Sequence, residues 1–176
     1  MIELLFRIIV GIRVWISPFI YKKFYRKNLS STHELWDSHY KWRTMKSFSE
    51  DINAYDYEWD YLHGLLDASF SSNEPDYFFQ SLTAGRDCDD FARIWRLWGE
   101  AQGWKGEEYI FTDKKKPFSK AHVVTILEEN PSQFWLMNYS PYGPYSTKEE
   151  AIQKMTDWYE KETMIYVRYA HEKERY

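Results

Sequence analysis

The chain has 176 residues, a single cysteine and a formal net charge of −4. That length fits one domain with a core of its own, and a lone cysteine excludes an internal disulfide and gives no support for an oxidising compartment. The only basic run is "DKKK" at 113–116, which argues against nucleic-acid binding, since that needs a strongly basic face. Aromatic residues are abundant, with 9 Trp, 15 Tyr and 11 Phe; they add buried area and line pockets and interfaces without naming a reaction.

The chain opens on "MIELLFRIIVGIRVWISPFIYKKFYRKN". Arg7, Arg13 and Pro18 interrupt its apolar residues, so no run reaches the roughly 20 residues of a membrane span. At 100° per residue Leu5, Ile8, Ile9, Ile12, Trp15 and Ile16 share one side of a helix. Residues 1–30 therefore read as an amphipathic helical extension ahead of a domain at 31–176. Two uses are open. The helix packs on the domain or on another copy, or it lies on an anionic membrane with Lys22, Lys23, Arg26 and Lys27 near the headgroups. The chain is accordingly expected to be cytoplasmic, with peripheral membrane contact or self-association through residues 1–28.

Next, Ser31 and Glu34 fit a capping box for a helix carrying Leu35, Trp36, His39, Tyr40 and Trp42. Residues 54–76 are rich in aromatics and acids and end at the turn signal "SSNEPD". From Cys88 onward, Phe91, Ile94, Trp95, Trp98 and Ala101 recur at helical spacing, and Gly103 can end the helix. "EYIFT" at 108–112 reads as a strand, "DKKKPFSK" as a loop, and "AHVVTILEE" at 121–129 as a second strand. A turn then leads to "FWLMNYS" at 134–140, a third strand that would form a hairpin with the second. "SPYGPY" breaks the pattern. Ser146 and Glu149 suggest a capping box for "TKEEAIQKMTDWYEK", and "TMIYVRYAH" closes the chain as a fourth strand. Helices followed by a small, mostly antiparallel sheet make an α+β domain.

The chemistry gathers at Cys88. Thiolate is the reactive form of cysteine, and a helix N-terminus favours it. A histidine partner would take the proton. Of the five histidines, His122 differs in starting a strand of apolar and β-branched residues. His122, Val124 and Ile126 share one face of it, and Val123, Thr125 and Leu127 the other. In the hairpin the midpoint of 122 and 138 is 130, in the turn, so Asn138 would lie nearly opposite His122. Its amide oxygen would accept the ring N–H and fix the tautomer that faces the sulfur, giving nucleophile, base and orienter. A phosphate-cradling glycine loop and paired His/Cys ligand spacing are both missing, so neither metal nor cofactor is expected.

"AGRDCDDFARIW", "KAHVVTIL" and "FWLMNYSPYGPYSTKEEAI" resemble the transglutaminase-like cysteine peptidases of bacteria and their phages, over roughly residues 50–170. In that family G-D-C-[ED]-[DY]-[FYA] opens the catalytic helix, a strand with H-[VM]-V follows, and then one with L-[DN]-N. The resemblance implies a papain-like fold with Cys88 as nucleophile, His122 as base and Asn138 as orienter. It also implies attack on a peptide or carboxamide carbonyl of a protein or peptide substrate, through a thioester. Two positions depart from the pattern. Asn138 stands where Asp is common, and Arg86 lies between the glycine and aspartate of the motif. Gln80 is a candidate second oxyanion donor. Two functions are thus in view: a thiol-dependent hydrolase or acyltransferase, and a non-catalytic relative that binds partners through its aromatic surface and N-terminal helix.

Overall fold

A computed structural model describes residues 43–53, 88–113, 121–158 and 164–169, together with Leu4, Leu5, Ile8 and Ile12. The described segments form helix α1 (Met45–Asn53), helix α2 (Cys88–Ala101), strands β1 (Lys105–Asp113), β2 (Ala121–Asn130), β3 (Gln133–Met137) and β4 (Pro141–Tyr145), helix α3 (Lys148–Trp158) and strand β5 (Met164–Tyr169). The five strands make one antiparallel sheet in the order β4-β3-β2-β1-β5. The α+β class read from the sequence holds. Leu4, Leu5, Ile8 and Ile12 are helical and 49–62% exposed. Among the described residues no helix is long and apolar enough to cross a membrane. The rest of the extension at 1–30, the expected helix carrying Leu35 to Trp42, the stretch at 54–76, Gln80, Arg86 and the basic loop 114–120 lie outside the described residues.

Alternation along the strands divides the sheet into two faces. Leu127 and Met137 pack with Phe48 and Ile52 of α1 and with Phe91, Ile94, Trp95 and Trp98 of α2. Tyr109, Phe111, Val124, Ile126, Phe134 and Leu136 pack with Ala151 and Met155 of α3. Helices thus cover both faces.

Helix α2 is the centre of the first face, and it differs from an amphipathic surface helix. Residues 91 to 99 are all buried, whereas Ala101, expected in the core, is exposed. Phe48 of α1 stacks on Trp98 and meets Trp95 edge-on, closing one flank while the sheet closes another. Gly99 lets the helix approach the sheet: a Cβ there would lie 2.5 Å from the Leu127 side chain, inside any permitted contact. The helix ends at Gly103 as expected. Its φ is +84°, its N–H bonds the Glu100 carbonyl, and the Trp104 N–H reaches back to the Gly99 carbonyl. This paired closure satisfies carbonyls the last turn leaves open.

Burial on every side forces two arginines of α2 into the interior. Arg93 and Arg96 are each 1% exposed and Glu108 of β1 is 2% exposed. Glu108 Oε1 accepts from Arg96 Nε at 2.7 Å and from Arg93 Nη1 at 3.3 Å. Arg96 also pairs with Glu100 one turn on. Burial, then the charge of Arg96, lowers the Arg93 pKa to about 10, so it stays charged at neutral pH. Burial opposes the charge on Arg96 too, but Glu108 and Glu100 outweigh it and leave its pKa raised. Helical spacing had pointed only to the apolar side of α2, because periodicity marks one buried face and is silent about a second.

Two boundaries correct the sequence reading. The third strand ends at Met137, not Ser140, and Pro141–Tyr145 is itself the edge strand β4. Thr147 rather than Ser146 caps α3: its Oγ1 accepts from the Glu150 N–H at 3.2 Å, and the Glu150 carboxylate accepts from the Ser146 N–H at 2.9 Å. The reciprocal bonds keep the sense of a capping box, moved by one residue.

Candidate active site

Cys88 is the first residue of α2 and is partly buried. At that position the first-turn N–H groups lack intrahelical acceptors and the helix dipole favours an anion. One turn later, at Ala92, the helix is tied to the sheet: Thr125 Oγ1 donates to the Ala92 carbonyl at 2.5 Å. Thr125 lies three residues beyond His122 on β2. The start of α2 and the start of β2 are therefore held at one corner of the sheet.

His122 is 8% exposed, and its Nε2 lies 2.8 Å from Asn138 Oδ1. An amide oxygen only accepts, so Nε2 carries the hydrogen and Nδ1 is the basic nitrogen of the neutral ring. The pair forms although the register differs from the expected one. Thr125 pairs with Met137 and Leu127 with Trp135, which sets Asn138 opposite Val124 rather than His122. The cause is the turn: Asn130 pairs with Gln133 across two residues, with a register shift between Glu128 and Asn130. Asn138 is thus diagonal to His122, a separation that long side chains bridge.

The pleat places His122 on the face of Val124 and Ile126, whereas Thr125 and Leu127 face α2. The imidazole is connected to the α2 side through Tyr139, at the end of the sheet. The Tyr139 ring lies 5.6 Å from the imidazole and 5.1 Å from Phe91, meeting Phe91 edge-on at 83°. Phe91 is three residues after Cys88, on the same side of the helix. Sequence reasoning missed Tyr139. Its only signal was an aromatic residue beside Asn138.

The same corner is braced from α1. Asn53 Nδ2 donates to Ser140 Oγ at 3.2 Å, and the Asn138 N–H donates to the Ser140 carbonyl at 3.2 Å. Residues 138–140 therefore turn out of β3 under restraint from three elements.

Burial lowers the pKa of His122, and the Asn138 bond partly opposes it. The ring is neutral at neutral pH, the form a general base requires. The unfolded chain takes up a proton near pH 6.5 that the folded ring refuses. Stability is therefore full above that pH and declines as pH falls through the lower folded-state pKa. Urea unfolding between pH 7 and pH 5 is expected to show this decline in the native chain and a shallower one in His122→Gln. Identical slopes would contradict it.

Among the described residues no group of three His, Cys, Asp or Glu side chains is arranged to hold a metal ion. No protein-family model, curated protein or solved structure matches this chain.

Proposed function

We propose that the protein is a thiol-dependent hydrolase or acyltransferase acting on peptide or carboxamide bonds, with a papain-like core related to the transglutaminase-like cysteine peptidases. The observation that carries this reading is the 2.8 Å bond from the buried His122 ring to Asn138, on the sheet against which the Cys88 helix packs. In the proposed reaction His122 Nδ1 takes the Cys88 proton, and sulfur adds to the substrate carbonyl. First-turn N–H groups of α2 are suited to the developing oxyanion. The imidazolium then protonates the leaving amine as the carbonyl re-forms, leaving a thioester. Water or an acceptor amine attacks the thioester, returning its proton through His122 and releasing the thiol.

The test uses the full chain and a panel of peptide chloromethyl ketones, read by intact-mass spectrometry. A single adduct on Cys88 is expected, absent in Cys88→Ser and slowed in His122→Ala by about 10²-fold or more, the usual range for a lost base. Labelling no faster than a small free thiol, and indifferent to His122→Ala, would overturn the reading. A second reading, a non-catalytic binding protein, is supported by the exposed helical residues Leu4, Leu5, Ile8 and Ile12. It predicts that indifferent labelling, together with binding to anionic vesicles or self-association lost on deleting residues 1–28.

A further inference from the structure

We propose that Tyr139 is the positioning residue of the His122–Asn138 pair, its ring wedged between the imidazole and Phe91 so that the first turn of α2 sets where the base points. The inference rests on the catalytic reading only for its consequence at the sulfur. The restraint on the ring stands on geometry of its own.

The Cβ–Cγ bond and the hydrogen bond at Nε2 hold two points of the imidazole and leave it a limited rocking freedom. A contact on the flank of the ring narrows that rocking and so helps to aim Nδ1. Tyr139 supplies it from the side: its plane is tilted by 51° to the imidazole at 5.6 Å and crosses Phe91 at 83° and 5.1 Å. Such edge-on and tilted aromatic contacts prefer particular orientations. Phe91 is itself 3% exposed within the core of α1 and α2, so the wedge bears on a fixed surface. On its other side the chain is held by Ser140, which accepts from Asn53. The Tyr139 ring is thus clamped along the chain as well as by its faces.

The wedge also accounts for the ring's surroundings. Burial lowers the pKa of His122, and the Asn138 bond partly opposes it. Tyr139 is a large side chain packed against the imidazole and contributes to that burial. A shift set by burial shrinks when the covering group is removed.

The experiment follows the imidazole of His122 by NMR titration in the native chain, Tyr139→Phe, Tyr139→Leu and Tyr139→Ala, with the Trp indole spectrum as the check of folding. The signal is assigned by its loss in His122→Gln. In the native chain and Tyr139→Phe, His122 is expected to titrate below 6.5 and to retain a slowly exchanging Nε2–H. In Tyr139→Ala its pKa rises toward 6.5 and the Nε2–H is lost to solvent exchange. Tyr139→Leu keeps the burial but loses the oriented ring contact, so the pKa stays low while the imidazole signals broaden or double. A folded Tyr139→Ala that titrates like the native chain overturns the proposal, and so does Tyr139→Phe behaving like Tyr139→Ala. Should Tyr139→Ala not fold, Tyr139→Leu decides: sharp, native imidazole signals overturn the proposal. Chloromethyl ketone labelling of Cys88 is read in the same samples. Absence of labelling in the native chain counts against the catalytic reading alone, because the titration is independent of the sulfur.

Discussion

Glu108→Gln is expected to destabilise the fold by about 3–5 kcal/mol, the cost of removing one partner from a buried ion pair. The carboxylate is the shared acceptor of two guanidinium groups that the all-round burial of α2 keeps from water. Glutamine keeps an acceptor oxygen but not the charge. Arg93 then faces Arg96 with less to oppose their repulsion, although the charge of Glu100, paired with Arg96, still acts on both. Such a loss is a large fraction of the 5–15 kcal/mol that typically separates folded from unfolded states. Urea unfolding at pH 7 measures it, and a loss below about 1 kcal/mol would show that the charges are not held as described. The triple change Arg93→Met, Arg96→Leu and Glu108→Met makes the complementary case. It removes charge and desolvation together, and is expected to be neutral or stabilising. The cluster then contributes specificity of packing more than stability.

Asn138→Asp is expected to act in the opposite direction from Asn138→Ala on the base. A carboxylate beside Nε2 stabilises the imidazolium and raises the pKa of His122. The thiolate–imidazolium population then grows about tenfold for each unit gained, and alkylation of Cys88 at neutral pH accelerates with it. Alanine removes a hydrogen bond that opposes burial, so the pKa falls further and alkylation slows. It also leaves a buried N–H without its acceptor, at a cost of about 1–3 kcal/mol. Imidazole titration and iodoacetamide kinetics across the three proteins check the order Asp, Asn, Ala. A reversed order, or kinetics that ignore position 138, would remove Asn138 from the site.

The pair was legible in the sequence because each member lay on a recognisable element. His122 began an apolar, β-branched run and Asn138 ended the next one. What the sequence could not supply was register. A two-residue turn and a bulge moved the centre of the hairpin, and the bond survived because asparagine and histidine reach across a diagonal. The helix from Cys88 to Gly103 was legible for similar reasons, through apolar spacing at one end and a glycine closure at the other. Arg93 and Arg96 were not, because a charged residue off the apolar stripe reads as solvent-facing until the partner on β1 is known. β4 was hidden by its own composition: Pro141, Gly143 and Pro144 are turn residues by habit, and only an edge position accommodates two prolines in a strand.

That edge position bears on how the sheet ends. Among the described residues β4 is one edge of it, and its middle residues Tyr142, Gly143 and Pro144 are exposed. An open edge is a template on which a foreign strand can add, but addition needs a regular row of backbone donors. Pro141 and Pro144 interrupt that row at two of five positions. The chain thus guards this border against fibrous growth, through the same residues that disguise the strand.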